Sequence, residues 1–256
     1  MKRRIYFFTV ILMLLFSAAC FIYSPLAQYI NEKAALKSVS GYDRENSQKT
    51  ENQIKQELHK ASRYNKGPVK TDDYENILNI KDGMMGYIEI PKINVKLPIY
   101  HGTDKGTLEK GIGHLKGSAF PIGGKGTHAV LTGHTGLPSA KLFDDISRLK
   151  LNDCFQIKVL DKVLIYKVVR IKTVYPYDYG KLLDANQDLD MVTLVTCVPY
   201  GINNKRLLVT GKRTRSNKNT KEQPVACSSK DKLISRAIVV FIILAVLTVI
   251  SIRRVK

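Results

Sequence analysis

The sequence predicts a mainly β domain, built as a barrel with a few short helices and tethered at both ends to a membrane. Three observations carry this. From Met85 onward the apolar residues recur with a period of two, in short runs separated by Gly, Pro, Asn and Asp. Residues 5–24 and 237–252 carry no charge. The stretch between the first block and Met85 is polar and helix-patterned. At 256 residues the chain is one large domain or two small ones, and a hydrophobic content of 44% argues against wholesale disorder. Two apolar terminal blocks exclude a simple cytosolic enzyme. Four cysteines in a chain of this length exclude a disulfide-dense scaffold.

Residues 1–4 form a short basic tail, with Lys2, Arg3 and Arg4. Residues 5–24 then reach about 30 Å as a helix, enough to cross a hydrocarbon core. The apolar run exceeds the ~7–15 residues of a cleaved signal peptide, so it is expected to stay as a signal anchor. The basic flank keeps the N-terminus cytoplasmic. The second span covers 233–252, with Arg236 near its start free to snorkel, and the tail at 253–256 is again basic. Both termini are therefore expected inside and the intervening chain outside the cell.

Residues 31–66 hold few large apolar side chains, but Ile54, Leu58 and Ala61 fall on one helical face, the pattern of a helical stalk. A break follows at Gly67 and Pro68, and Asp72 and Asp73 supply capping chemistry before a short helix at 74–78. Strands are expected at 87–90, 95–100, 127–132, 155–160, 163–174, 192–196 and 207–210, with one helix at 139–148. Many short strands with inserted helices favour a barrel over a parallel α/β sheet. The polar stretch 214–232 is a tether.

Of 41 Lys and Arg residues, seven flank or enter the apolar blocks; the remaining 34 lie between them with all 22 acids, so that segment carries net +12. Such a surface suits anionic lipid or anionic wall polymer. Nucleic acid fits poorly, because the lysines are dispersed and no aromatic-interleaved basic motif occurs.

Cys20 lies in the first span, Cys227 in the tether, and Cys154 beside Asp153, whose charge disfavours a thiolate. Cys197 ends an apolar strand just before a loop, where a rigid element displays it. His59 is in the stalk, and His101 and His114 are in Gly-rich loops. His128 and His134 are six apart, on one face of a strand, with His134 at its end. Arg206 follows Cys197 by nine residues; an antiparallel pairing of the two flanking strands returns it beside the thiol. A guanidinium there can hold a developing oxyanion. No Cys and His occur at metal-ligand spacing and no acidic cluster suggests calcium, so neither metal nor cofactor is expected.

The run Thr193-Leu194-Val195-Thr196-Cys197 with Arg206 resembles the signature of the sortases, the Gram-positive surface transpeptidases. The block from His134 to Phe143, the run Gly86-Tyr87-Ile88-Glu89-Ile90-Pro91, and Pro199-Tyr200-Gly201-Ile202-Asn203 are similar to the pilus-building class C members, as is a span at each end. The resemblance implies a closed barrel of about eight strands over 81–213. It also implies three roles. Cys197 would attack the Thr–Gly carbonyl of a Leu-Pro-x-Thr-Gly-like signal, His134 would serve as acid and base, and Arg206 would stabilise the tetrahedral intermediate. Thr196 is expected to line the substrate site. The acceptor implied is a lysine of a pilin subunit. Two departures stand out: Lys205 precedes the arginine where the family often has His, and the Asp-Pro-aromatic lid motif is missing. The corresponding region, 25–80 with Gly67, Pro68 and Val69, is expected to hold a degenerate or weakly docked lid. Two other functions fit the same features, anchoring of surface proteins to a wall precursor and a catalytically silent wall-binding module.

Overall fold

The computed structural model describes residues 2–67, 72–80, 82–178 and 188–214. The expected second span and its tether lie outside the described residues, as does Cys227.

Helix α1 runs unbroken over Lys2–Ser47 and contains Pro25. Among the described residues it is the one helix long and apolar enough to cross a membrane. Its first half exposes Leu12, Met13, Phe16 and Phe21. Its second half, within the expected helical stalk, packs on the barrel. Ala35, Val39 and Tyr42 recur at helical spacing and are buried against the barrel. Tyr42 Oη donates to Met85 O (3.0 Å) and accepts from Leu160 N (2.8 Å). Asn46 Nδ2 donates to Leu160 O at 2.9 Å. Asp43 accepts from Tyr87 Oη and Lys158 Nζ.

Helix α2 covers Glu51–Lys66 and opens on a capping box, with Thr50 and Gln53 satisfying each other's backbone N–H groups. Ile54 and Leu58 pack on the core and Ala61 is fully buried, as the spacing predicts. Gly67 N closes the helix onto Arg63 O (2.9 Å). In place of the helix expected at 74–78, a short 3-10 helix spans Asp72–Asn76 and takes in Asp72 and Asp73 themselves; it delivers Tyr74 into a buried aromatic cluster with His101, His114 and Phe120.

The strands are β1 (Met84–Ile90), β2 (Val95–His101), β3 (Ile112–His114), β4 (Thr127–Thr132), β5 (Cys154–Val159), β6 (Lys162–Val174), β7 (Asp190–Val198) and β8 (Lys205–Arg213). They close a barrel in the order β1-β2-β3-β4-β7-β8-β6-β5. The β2/β3 and β4/β7 pairs are parallel and the rest antiparallel. Alternate residues such as Ile88, Ile99, Leu131, Ile157, Leu194 and Val209 fill the interior.

Sequence patterning misses two elements. Helix α3 (Lys105–Lys110) has only six residues, too few for a periodic signal, and is capped by Asp104 Oδ1 on Thr107 N (3.1 Å). Strand β3 is three residues long and lies among glycines, so His114 and the β2 end His101 belong to strands rather than loops. The helix expected at 139–148 does not form. Asp144 draws the N–H groups of Gly136 and Leu142 to its carboxylate, and Phe143 N bonds back to His134 O (3.0 Å), leaving only a 3-10 turn at Ile146–Arg148. Leu142, Phe143 and Ile146 are buried all the same.

Candidate active site

The site is built on the ends of β7 and β8. Along β7, Val192 and Leu194 point into the core, and along β8 so do Leu207 and Val209. The intervening residues therefore share the outer face. There Thr193 faces Thr210, with hydroxyls 2.9 Å apart, and Val195 pairs with Leu208, buried with Val130 of β4. The next pair in the row is Cys197 and Arg206. Residues directly opposite in such a ladder hold their Cβ atoms about 5 Å apart. The antiparallel pairing expected from the nine-residue spacing is the one found.

Arg206 Nη1 donates to Asn203 O and Lys205 O, both at 3.1 Å, which sets the guanidinium against the loop joining the two strands. Nη2 and Nε carry further N–H groups. Cys197 is half-buried, with a free thiol.

Strand β4 brings the imidazole. It runs parallel to β7, with Thr132 opposite Val195. Gly133 N donates to Val195 O at 3.0 Å, so the chain stays beside β7 past the strand end. Two positions beyond Thr132 and Val195 stand His134 and Cys197. His134 is half-buried and lies past the end of β4. His128 does not share its surroundings: it is buried, with Nε2 2.8 Å from Thr193 Oγ1.

Gly133 is dictated by packing. A Cβ there would lie 2.7 Å from the Phe143 ring and from Ile112 Cδ1. Gly136 takes φ +82°, the left-handed region that suits glycine, with the Tyr200 ring beside it.

Thr196, expected to line the substrate site, is buried at 2% exposure, and its hydroxyl donates to Gly133 O (2.7 Å) and lies 2.8 Å from Thr135 Oγ1. Pleating turns it to the face opposite Cys197, so it acts on the residues either side of His134. Of the expected lid residues, Gly67 is the cap of α2, and Pro68 and Val69 lie outside the described residues. Cys154 and Cys20 are exposed and free.

Sequence reasoning overlooked Thr135 and Asp144 as supports of the His134 loop. The signal was available for Asp144, whose carboxylate two residues after Leu142 suits local capping of backbone N–H groups. It also overlooked the rim of exposed side chains, Tyr175, Tyr177, Tyr200 and Ile202. Tyr175 and Tyr177 stack at 5.6 Å, with Lys205 Nζ over the Tyr175 ring.

A free thiol paired with a guanidinium across a strand ladder, with an imidazole on the neighbouring strand extension, is the constellation of a cysteine acyl transferase. Residues 88–214 match the sortase domain. Among solved structures, sortase C1 from Streptococcus agalactiae is 41% identical, with a TM-score of 0.67, covering 71% of this chain and 100% of that one. Clostridium perfringens sortase C, solved with the C-terminal cell wall sorting motif, is 43% identical, with a TM-score of 0.65 and the same coverage. Sortase D of Bacillus subtilis (strain 168) is 34% identical over 131 residues, which is 50% of this chain and 63% of that protein, under two thirds of its length. The chain belongs to the sortase family, the cysteine transpeptidases, and within it to class C.

Proposed function

We propose that this chain is a membrane-anchored pilus-building transpeptidase, and that Cys197, His134 and Arg206 carry the reaction. The observation that supports this most is the pairing of Cys197 with Arg206 at the β7/β8 end, in a domain similar to solved class C sortases. The Cys197 sulfur adds to the Thr carbonyl of a Leu-Pro-x-Thr-Gly-like signal. The resulting oxyanion meets N–H donors of Arg206, a stabilisation worth roughly 3–4 kcal/mol for a single well-aimed donor. The C–N bond to glycine breaks as His134 protonates the departing amine, leaving a thioacyl enzyme. A pilin lysine amine then attacks that carbonyl, His134 takes its proton, and collapse forms the isopeptide bond and frees the thiol.

The anchoring half of the proposal rests on the exposed apolar first half of α1. It places spans at 5–24 and 233–252, both termini in the cytoplasm, and the barrel outside the cell. The region of Gly67, Pro68 and Val69 is taken as a lid too degenerate to cover Cys197. Transfer to a wall-precursor amine would use the same thioacyl enzyme and differ only in acceptor.

The test is intact mass spectrometry of the full chain with Leu-Pro-x-Thr-Gly peptides, with and without a lysine-bearing pilin fragment. The expected result is an acyl adduct on wild type, none on Cys197→Ala, and an isopeptide product when the fragment is added. An adduct that resolves only onto a wall-peptide amine would move the assignment to surface-protein anchoring. An alkylatable Cys197 that takes no acyl group from any peptide would overturn the enzymatic reading.

A further inference from the structure

We propose that the rim of the barrel carrying Cys197 and Arg206 faces the bilayer, with Tyr200, Ile202 and Pro138 resting in the lipid headgroup region. This rests on the anchoring reading above.

One rim of the barrel collects the end of β7, the start of β8, the end of β6 and the loop that leaves β4 at Gly133. The opposite rim holds the start of β1 and the β5–β6 turn at Leu160 and Asp161. The C-terminal end of α1 is fixed at that opposite rim, by Tyr42 and Asn46 on Leu160. Farther up the helix the partners change rims. Asn31 Nδ2 donates to Ser139 O at 2.7 Å, and Ser24 Oγ and Gln28 Nε2 donate to Pro138 O at 2.9 and 3.4 Å. Pro138 and Ser139 belong to the His134 loop.

From Ser24 to Asn46 a helix rises about 33 Å, and its hydrogen bonds reach one rim at Leu160 and the other at Pro138 and Ser139. Helix α1 therefore lies along the barrel with its apolar half projecting beyond the rim of the site.

Ser24 ends the span assigned to 5–24, beyond which Gln28, Asn31 and Glu32 make the helix polar, so its bond to Pro138 puts that carbonyl at the edge of the membrane. The Tyr200 ring lies against Gly136, two residues from Pro138 and about 7 Å of chain away. Tyr200 and Ile202 are each 69% exposed and Pro138 is exposed. Tyr175 and Tyr177, at the end of β6, share this rim. Exposed apolar side chains led by tyrosines, contiguous with the end of a spanning helix, match the chemistry of the lipid–water interface. The site would then work on extended segments that emerge from the same membrane.

The chain contains no tryptophan, so a single introduced one reports on its own position. The full chain would be reconstituted in phosphatidylglycerol–phosphatidylcholine bilayers whose acyl chains are brominated near the headgroup. Four variants would be compared: Tyr200→Trp, Ile202→Trp, Asp161→Trp at the opposite rim and Phe16→Trp within the apolar run. The expected result is strong quenching and a blue-shifted emission for Tyr200→Trp and Ile202→Trp, and for Phe16→Trp, with Asp161→Trp unquenched. Adding Ser24→Ala and Asn31→Ala to Tyr200→Trp should relieve much of its quenching, because the loop is released from the helix.

Quenching of Phe16→Trp alone would overturn the orientation and leave anchoring standing. Emission of Tyr200→Trp that ignores lipid and shifts only on adding a pilin fragment would make the rim a protein-docking surface instead. An unquenched Phe16→Trp would remove both anchoring and orientation.

Discussion

The hydroxyls of Thr196 and Thr135 lie 2.8 Å apart, joining the residue before Cys197 to the residue after His134. The same Thr196 hydroxyl holds Gly133 O. One side chain on the nucleophile's strand thus fixes the backbone on both sides of the imidazole. Thr196→Val keeps the shape and removes the donor, leaving a buried carbonyl short of a partner at a cost of about 1–3 kcal/mol. The expected kinetic effect is a fall in kcat of roughly tenfold to a hundredfold with KM nearly unchanged, since the loop shifts without loss of substrate contacts. Thr196→Ser should restore most of it. A rise in KM with kcat intact would instead mark Thr196 as a substrate contact.

Gly133→Ala is expected to destabilise the fold by about 1–3 kcal/mol, because its methyl group would meet Phe143 and Ile112 at 2.7 Å. Both neighbours are buried, so neither can swing away. Thermal melting of the variant checks this, and an unchanged Tm would show that the His134 loop has slack.

For Arg206 the distinction between charge and shape can be measured. Arg206→Ala should lower kcat/KM by roughly a hundredfold to a thousandfold. Arg206→Lys should recover little, because an ammonium cannot reach the loop carbonyls and an oxyanion with one planar fork. Full recovery by lysine would reduce the role of Arg206 to a positive charge near the thiol.

Asp190 provides a pH signature of stability. Burial pushes its carboxyl above the usual carboxylate range, against the pull of Gly124 N and Tyr166 Oη. A group raised on folding favours the native state most when protonated. Its contribution is therefore complete below the unfolded value near 3.8 and is lost as pH rises through the folded one. Asp190→Asn should flatten the fall in Tm across that acidic window. An unchanged slope would assign the pH dependence to other groups.

The proposal of a degenerate lid at Gly67, Pro68 and Val69 predicts that a small alkylating agent labels Cys197 at a rate comparable to that of exposed Cys154. Slow labelling that accelerates on deleting residues 67–73 would show a working lid.

The barrel was legible in the sequence wherever a strand had one face in the core, as for residues 127–132, which match β4. Cys197, His134 and Arg206 drew attention as reactive types at strand ends, and the resemblance of the surrounding motifs to the sortases singled them out. Segments whose structure depends on partners that periodicity does not reveal were harder to read. The 139–148 segment carries a helical spacing of Leu142, Phe143 and Ile146, yet Asp144 and the His134 carbonyl claim its N–H groups. Residues 31–66 suggested a helical stalk, and the partner surface on β1 and the Leu160 turn explains why Tyr42 within it is buried. Thr196 shows the same limit on a smaller scale, since its neighbour's chemistry says nothing about the direction of the pleat.

The parallel β4/β7 seam joins segments separated by more than sixty residues, and β7 is made late in the chain. While the polypeptide is still being synthesised, His134 is already present and Cys197 is not. Even the finished chain holds a thiol, an imidazole and a guanidinium with no common geometry until that seam zips shut. Contacts of such long sequence separation form slowly. Barrel closure thus works as an arming step, in which reactivity arises only once the fold is complete.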